Sequence, residues 1–181
     1  MDKKLTKWSY LEPFLFTRES LHLLDISRKL GENHTTVRKY LNQFTKEGFL
    51  KISQKGRLTL YELNLDFSLV VDYLSMAEKE FLLSKCFQNK MLKELISDVH
   101  KIASGPVILF GSSVNNFSKA GDVDIICSEN LNFDKLEEKY DREFHVVRMD
   151  KIDQIKDALK LEVLKKHLSI NCTEEIVKWL I

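Results

Sequence analysis

The residues with chemistry to offer are concentrated between Val107 and Cys127, in the stretch VILFGSSVNNFSKAGDVDIIC. Asp122 and Asp124 flank Val123 at the start of a short apolar run. Side chains on a strand alternate between faces, so both carboxylates project from one side. Two such charges a few ångströms apart repel. Unless one takes a proton they need a cation between them, and hard oxygen donors of this kind suit Mg²⁺ shared with a substrate's phosphates. Upstream, the apolar run Val107 to Phe110 ends in Gly111-Ser112. A glycine after a buried strand lets backbone N–H groups approach a phosphate closely, with the serine hydroxyl as a further donor. The bland alternative, an ordinary turn and a solvated strand edge, uses the same residues without chemistry.

An apolar strand leading into Gly-Ser, followed by a strand that opens with Asp-x-Asp, resembles the signature of the DNA polymerase β-like nucleotidyltransferase superfamily in its minimal form. The resemblance runs from about Pro106 to the C-terminus. It implies that Gly111, Ser112, Ser113 and Lys119 hold the phosphates of a nucleoside triphosphate, and that Asp122 and Asp124 carry Mg²⁺. A nucleotide would then pass to a hydroxyl acceptor that the chain does not name. In that superfamily the next strand supplies a third acidic residue. Matched to the strand expected over Glu143 to Met149, that position falls on His145, with Glu143 on the same face as the nearest carboxylate. The loop also lacks the Gly and Arg often found after Gly-Ser, and Gly121 replaces a common Ser. Imidazole can serve as a base near neutral pH but substitutes poorly for a carboxylate around Mg²⁺. Two consequences therefore stand side by side: an active transferase with Asp122, Asp124, His145 and Glu143 as its catalytic set, or a degenerate domain kept as a nucleotide sensor or dimer scaffold.

The elements that precede this stretch have a different character. Residues Met1 to Leu65 hold 12 Lys/Arg against 7 Asp/Glu, whereas the 181-residue chain as a whole carries a net charge of +1. A basic front suggests a polyanionic partner for that part. Leu23, Ile26 and Leu30 mark the apolar side of a short helix that Gly31 ends. Asn33 can cap a second helix, in which Val37, Tyr40, Leu41 and Phe44 form an apolar stripe. Its outer face offers His34, Thr35, Thr36, Arg38, Lys39, Asn42 and Gln43. Gly48 follows, and strands over Phe49 to Ser53 and Leu58 to Glu62 flank a turn at Gln54-Lys55-Gly56-Arg57 that carries the cations Lys55 and Arg57. This order resembles the winged helix-turn-helix family of transcriptional regulators over roughly Leu11 to Asn64, with Trp8 to Phe16 as a first helix interrupted near Pro13. The resemblance implies double-stranded DNA as partner, the second helix in a major groove and the hairpin on the backbone. Winged helices also serve as protein-binding modules.

Between Asp66 and Ser104 there is no Pro or Gly, and apolar residues recur at helical spacing in two sets that break near Asn89. The spacing predicts two helices, the first a candidate for pairing in a homodimer and the second packed on the following sheet. Beyond Asp150, Ile152, Ile155, Leu159, Leu161, Val163, Leu164 and Leu168 predict helical segments. A last helix is capped by Thr173, and Trp179 closes the core. Phe133 to Tyr140 reads as a short charged helix. Cys86, Cys127 and Cys172 lack metal-ligand spacing and read as reduced, packed thiols. His22, His34, His100 and His167 are isolated in sequence and are assigned to no metal. No apolar stretch matches a signal segment or membrane span, so the expectation is a cytoplasmic protein without a membrane partner. The expected fold class is α+β: a winged helix over residues 1–65, a helical connector over 66–104, and a small α/β nucleotidyltransferase-like domain with a short mixed sheet over 105–181.

Overall fold

A computed structural model describes residues 5–149, 155 and 157–181. Among them are eight α-helices and two small sheets, so the fold is mixed α+β. The chain divides into two compact units, one of residues 1–77 with Ile181 and one of residues 78–180. No described helix is long and apolar enough to cross a membrane.

In the first unit a 3₁₀ segment, Trp8–Leu11, runs into the short α1, Glu12–Leu15. Pro13 sits in the first turn of α1, where its missing N–H costs nothing, so the break falls just ahead of it. Strand β1, Leu21–His22, comes next and was not expected from sequence, two residues being too short to show a period. Helix α2, Leu23–Leu30, ends at Gly31, which is left-handed at φ 64°. Helix α3, His34–Lys46, begins under the Asn33 side chain, which accepts from the Thr35 N–H at 2.8 Å. Val37, Leu41 and Phe44 are fully buried on its inner face. Strands β2, Leu50–Lys55, and β3, Leu58–Leu63, pair antiparallel, and β1 adds to the free side of β3. The hairpin turn is tighter than predicted. Gln54 and Lys55 pair with Thr59 and Leu58, leaving only Gly56, at φ 62°, and Arg57 as the loop. An aromatic group of Trp8, Phe44, Phe49, Phe67 and Tyr73 closes this core, with Phe49 stacked on Tyr73 at 5.1 Å.

Helix α4, Val70–Gln88, spans the division between the units. Helix α5, Lys90–Ile102, begins at Asn89, whose side chain accepts from the Leu92 N–H. The predicted break at Asn89 is thus a capped helix start. The second sheet has the order β6-β5-β4-β7. It comprises β4, Val107–Phe110, β5, Asp122–Cys127, β6, Glu143–Arg148, and β7, His167–Asn171. β5 and β6 are parallel and the other pairs antiparallel, which makes the sheet mixed. Helix α6, Asp134–Tyr140, supplies the crossover between the parallel strands. Helix α7, Asp157–Lys165, and α8, Thr173–Leu180, follow. Ile108, Phe110, Ile126, Val163, Ile176 and Leu180 form a buried cluster against which Trp179 packs partly exposed.

Three expectations are corrected in this unit. Leu168 lies in β7, not in a helix; the strand reads His-Leu-Ser-Ile-Asn with its first four residues buried, and an alternation only five residues long is easily lost beside the helical spacing that precedes it. Thr173 is the first residue of α8 rather than its cap, Cys172 occupying the position before it at φ 53°. Cys172 is also exposed, whereas Cys127 is buried and Cys86 half-buried. Ile152 lies outside the described residues.

Asp98 ties α5 to α6. Its carboxylate, with a side chain only 15 % exposed, accepts from Lys101, Lys139 and Tyr140. Those three bonds hold its pKa far below the ordinary carboxylate range against the opposing effect of burial. Burial, aided by Asp98, pushes the Tyr140 hydroxyl up to about 12. Hydrogen bonds to an ionised group contribute roughly 1.5–3 kcal/mol, so Asp98→Asn is expected to lower stability by about 2 kcal/mol at pH 7. Because the folded pKa is depressed, this contribution is full above the unfolded value near ~4 and fades as pH falls toward the folded one. Urea midpoints of variant and parent should therefore converge as pH is lowered from 7 to 3.

Candidate functional site

The register of the second sheet gathers the chemistry at one end. Phe110 of β4 pairs with His167 on one side and Asp124 on the other, and Asp124 pairs with His145. Directly paired residues share a face, so His167, Phe110, Asp124 and His145 form one row. Asp122 pairs with Glu143 two residues further along the same strands. The alternation expected for Asp-x-Asp is present: Asp122 and Asp124 are part-exposed while Val123 between them is fully buried.

Among the described residues, Asp122, Asp124 and His145 present ligand atoms that all lie within 4.8 Å of one another. His145 Nδ1 stands 3.7 Å from Asp122 Oδ2 and 3.5 Å from Asp124 Oδ1, and its Nε2 is 3.3 Å from Glu143 Oε1. Desolvation lowers the imidazole's pKa, but the Glu143 charge, hydrogen bonds to Asp124 and Glu143, and the Asp122 charge outweigh it and raise the value above the ordinary one.

Gly111 completes the cradle. It takes φ 75°, and a Cβ there would overlap Asp124 Oδ2 and stand 3.2 Å from its Cγ. Only glycine satisfies both the left-handed backbone and this close approach. The chain continues as a 3₁₀ turn, Gly111–Val114. Ser112 is exposed, and its hydroxyl reaches Asp122 Oδ1 at 3.5 Å. Ser113 is fully buried, and its hydroxyl donates to the Phe110 carbonyl at 3.2 Å, so it faces the core rather than the carboxylates. Lys119 closes a second 3₁₀ turn, Phe117–Lys119, exposed and without an ion pair among the described residues.

The basic set of the first unit is also placed. His34, Thr35, Arg38, Lys39, Asn42 and Gln43 are exposed along α3, and Thr36 is half-buried. Two of them are tied in place: Asn42 accepts from the Tyr61 hydroxyl at 3.3 Å, and Gln43 donates to Glu47 at 2.8 Å. Lys55 and Arg57 are exposed at the hairpin tip.

Sequence reasoning missed the polar group at the far end of the row. His167 Nε2 lies 2.7 Å from Glu78 Oε1, Ser169 donates to Glu78 Oε2 at 3.2 Å, and all three residues are buried. Glu78 and His167 are 89 residues apart, so no local spacing could have linked them. Comparison with protein-family models, with curated proteins and with solved structures gives no match.

Proposed function

We propose that this chain is a DNA-binding nucleotidyltransferase: the second unit transfers a nucleotide from a nucleoside triphosphate to a hydroxyl acceptor, and the first reads double-stranded DNA. The observation that carries the catalytic half is the convergence of Asp122, Asp124 and His145 beside a glycine that admits no side chain. The two carboxylates fit a divalent cation, Mg²⁺ included; the imidazole departs from the all-oxygen surroundings Mg²⁺ prefers. A cation held there by Asp122, Asp124 and His145 would supply neutralisation of phosphate charge. The remaining tasks belong to the chain. Backbone N–H groups at Gly111 and Ser112, with the Ser112 hydroxyl, orient the phosphates. The acceptor oxygen bonds to the α-phosphorus, the bond to the β-phosphate oxygen breaks, and pyrophosphate leaves. The acceptor's proton passes to Glu143, the exposed carboxylate beside His145 at the edge of the site. Lys119 is free to reach the triphosphate.

For the first unit, support comes from the element order: two helices, a basic exposed helix face and a hairpin with two cations at its tip. Homodimerisation on two half-sites is part of the reading, and α4 carries the exposed Met76 and Leu83 seven residues apart. Arg38→Ala with Lys39→Ala is expected to weaken DNA binding at least about tenfold and to flatten its salt dependence by roughly two counterions. Fluorescence anisotropy on duplex DNA across a salt series measures both; an unchanged slope would take α3 off the backbone.

One observation favours a second reading, a regulator whose second unit senses nucleotides or scaffolds a dimer without chemistry. His145, when protonated, lies close enough to both aspartates to offset their mutual repulsion itself. Calorimetric titration with each nucleoside triphosphate, with and without a divalent cation, separates the readings. Cation-dependent binding followed by pyrophosphate release supports transfer, binding without release supports a sensor, and no binding at all leaves DNA recognition as the function.

A further inference from the structure

The donor set departs from what Mg²⁺ prefers, and the departure is orderly. His145 directs Nδ1 at both aspartates while its other nitrogen, Nε2, faces Glu143 Oε1 at 3.3 Å. A metal-bound histidine characteristically has this arrangement: one ring nitrogen gives its electron pair to the ion, and the N–H of the other is held by a carboxylate, which fixes the tautomer and makes the ligand more basic. The spacing agrees. Donors about 2.1 Å from one ion stand roughly 3.0 Å apart at octahedral angles and roughly 3.4 Å apart at tetrahedral ones. The imidazole nitrogen lies 3.5 and 3.7 Å from the two carboxylate oxygens, and the three ligand atoms lie within 4.8 Å of one another, so an inward movement of the side chains brings all three to one ion. Backbone pairing keeps them in register, since Asp124 lies directly beside His145 and Asp122 directly beside Glu143.

We infer that Asp122, Asp124 and His145 form a mixed nitrogen and oxygen site that takes a divalent first-row transition-metal ion, for which Mn²⁺ is the spectroscopic probe, in preference to Mg²⁺, with Glu143 as the residue that orients His145. Two carboxylates alone would accept either ion. The imidazole is what discriminates, because Mg²⁺ binds nitrogen poorly and holds its waters tightly, whereas first-row transition ions take imidazole readily. This inference rests on the proposed cation site but not on nucleotide transfer.

The test uses the full chain and the metal alone. Mn²⁺ binding is followed by electron paramagnetic resonance, in which the signal of the free ion is lost on binding, with Mg²⁺ as competitor and no nucleotide present. The parent is expected to favour Mn²⁺ over Mg²⁺ by well over tenfold. His145→Asp, at an exposed position where folding is undisturbed, is expected to cut that ratio at least about tenfold by restoring an all-oxygen site. Glu143→Ala keeps all three ligands and is expected to weaken Mn²⁺ binding by roughly tenfold through loss of orientation. Equal affinity for the two ions, or a ratio that His145→Asp leaves unchanged, would overturn the inference. If Mg²⁺-dependent nucleotide binding survived that result, the transferase reading would stand without it. Failure of the parent to bind any cation would remove both.

Discussion

Asp124→Asn is expected to abolish cation-dependent nucleotide binding, by more than about a hundredfold in affinity, while leaving the second unit folded. The substitution preserves shape and removes only charge, and Asp124 is where charge has most effect. It is the inner of the two carboxylates, it lies against Gly111, and it holds the shorter of the two distances to His145 Nδ1. An amide is a far weaker cation ligand than a carboxylate, and with one anion gone the mutual repulsion that makes a cation favourable disappears as well. Stability should change little, because the Asp124 side chain is part-exposed and the substitution keeps its shape. Calorimetry with triphosphate and cation, paired with a thermal melt, reads the two effects separately. Unchanged binding would mean that the aspartate pair is not the site.

Glu78→Ala should have the largest effect on stability, a loss of about 3–5 kcal/mol, because two buried polar partners lose their match at roughly 1–3 kcal/mol each and the truncation leaves a cavity. Glu78 and His167 are both essentially inaccessible to solvent. The carboxylate serves His167 Nε2 and the Ser169 hydroxyl together, while His167 Nδ1 lies 2.8 Å from the Val163 carbonyl. Truncation leaves Nε2 facing no carboxylate in a site that water does not reach. The double substitution Glu78→Leu with His167→Phe removes both polar groups and should cost markedly less than Glu78→Ala, since the penalty lies in the unmatched partner rather than in the pair. Urea unfolding of the two variants decides this; equal losses would show that packing at β7, not the polar match, sets the cost.

The extent to which the site was legible depended on sequence separation. Asp-x-Asp announced its shared face because strand geometry fixes alternation whatever the surroundings. Asn33 announced a helix start, because a cap acts on N–H groups only two residues away, and the break read near Asn89 proves to be a cap of the same kind. Gly31 marked a helix end by the same local reasoning. His145 is placed on the face of the two aspartates only through the family resemblance, and in the sheet it pairs with Asp124. Ser113 shows where such reasoning stops. Its neighbour Ser112 has the same chemistry, and only the sense of the turn after β4 sends one hydroxyl outward and the other into the core.

By itself the sequence determined most of the local conformations, β1 and β7 excepted: which segments are helix or hairpin, roughly where they start and stop, and which residues on each share a face. These follow from backbone sterics and from hydrogen bonds within a few residues. The tertiary structure alone decided that β7 joins the sheet beside β4, that Glu78 meets His167 across 89 residues, and that Gly111 presses against Asp124. It also decided that Nε2 of His145 faces Glu143 while Nδ1 faces the aspartates. Each of these is a contact between elements whose partners are chosen by burial of the whole core. Burial is a property of the assembled sheet and its helices, and no window of the chain contains it.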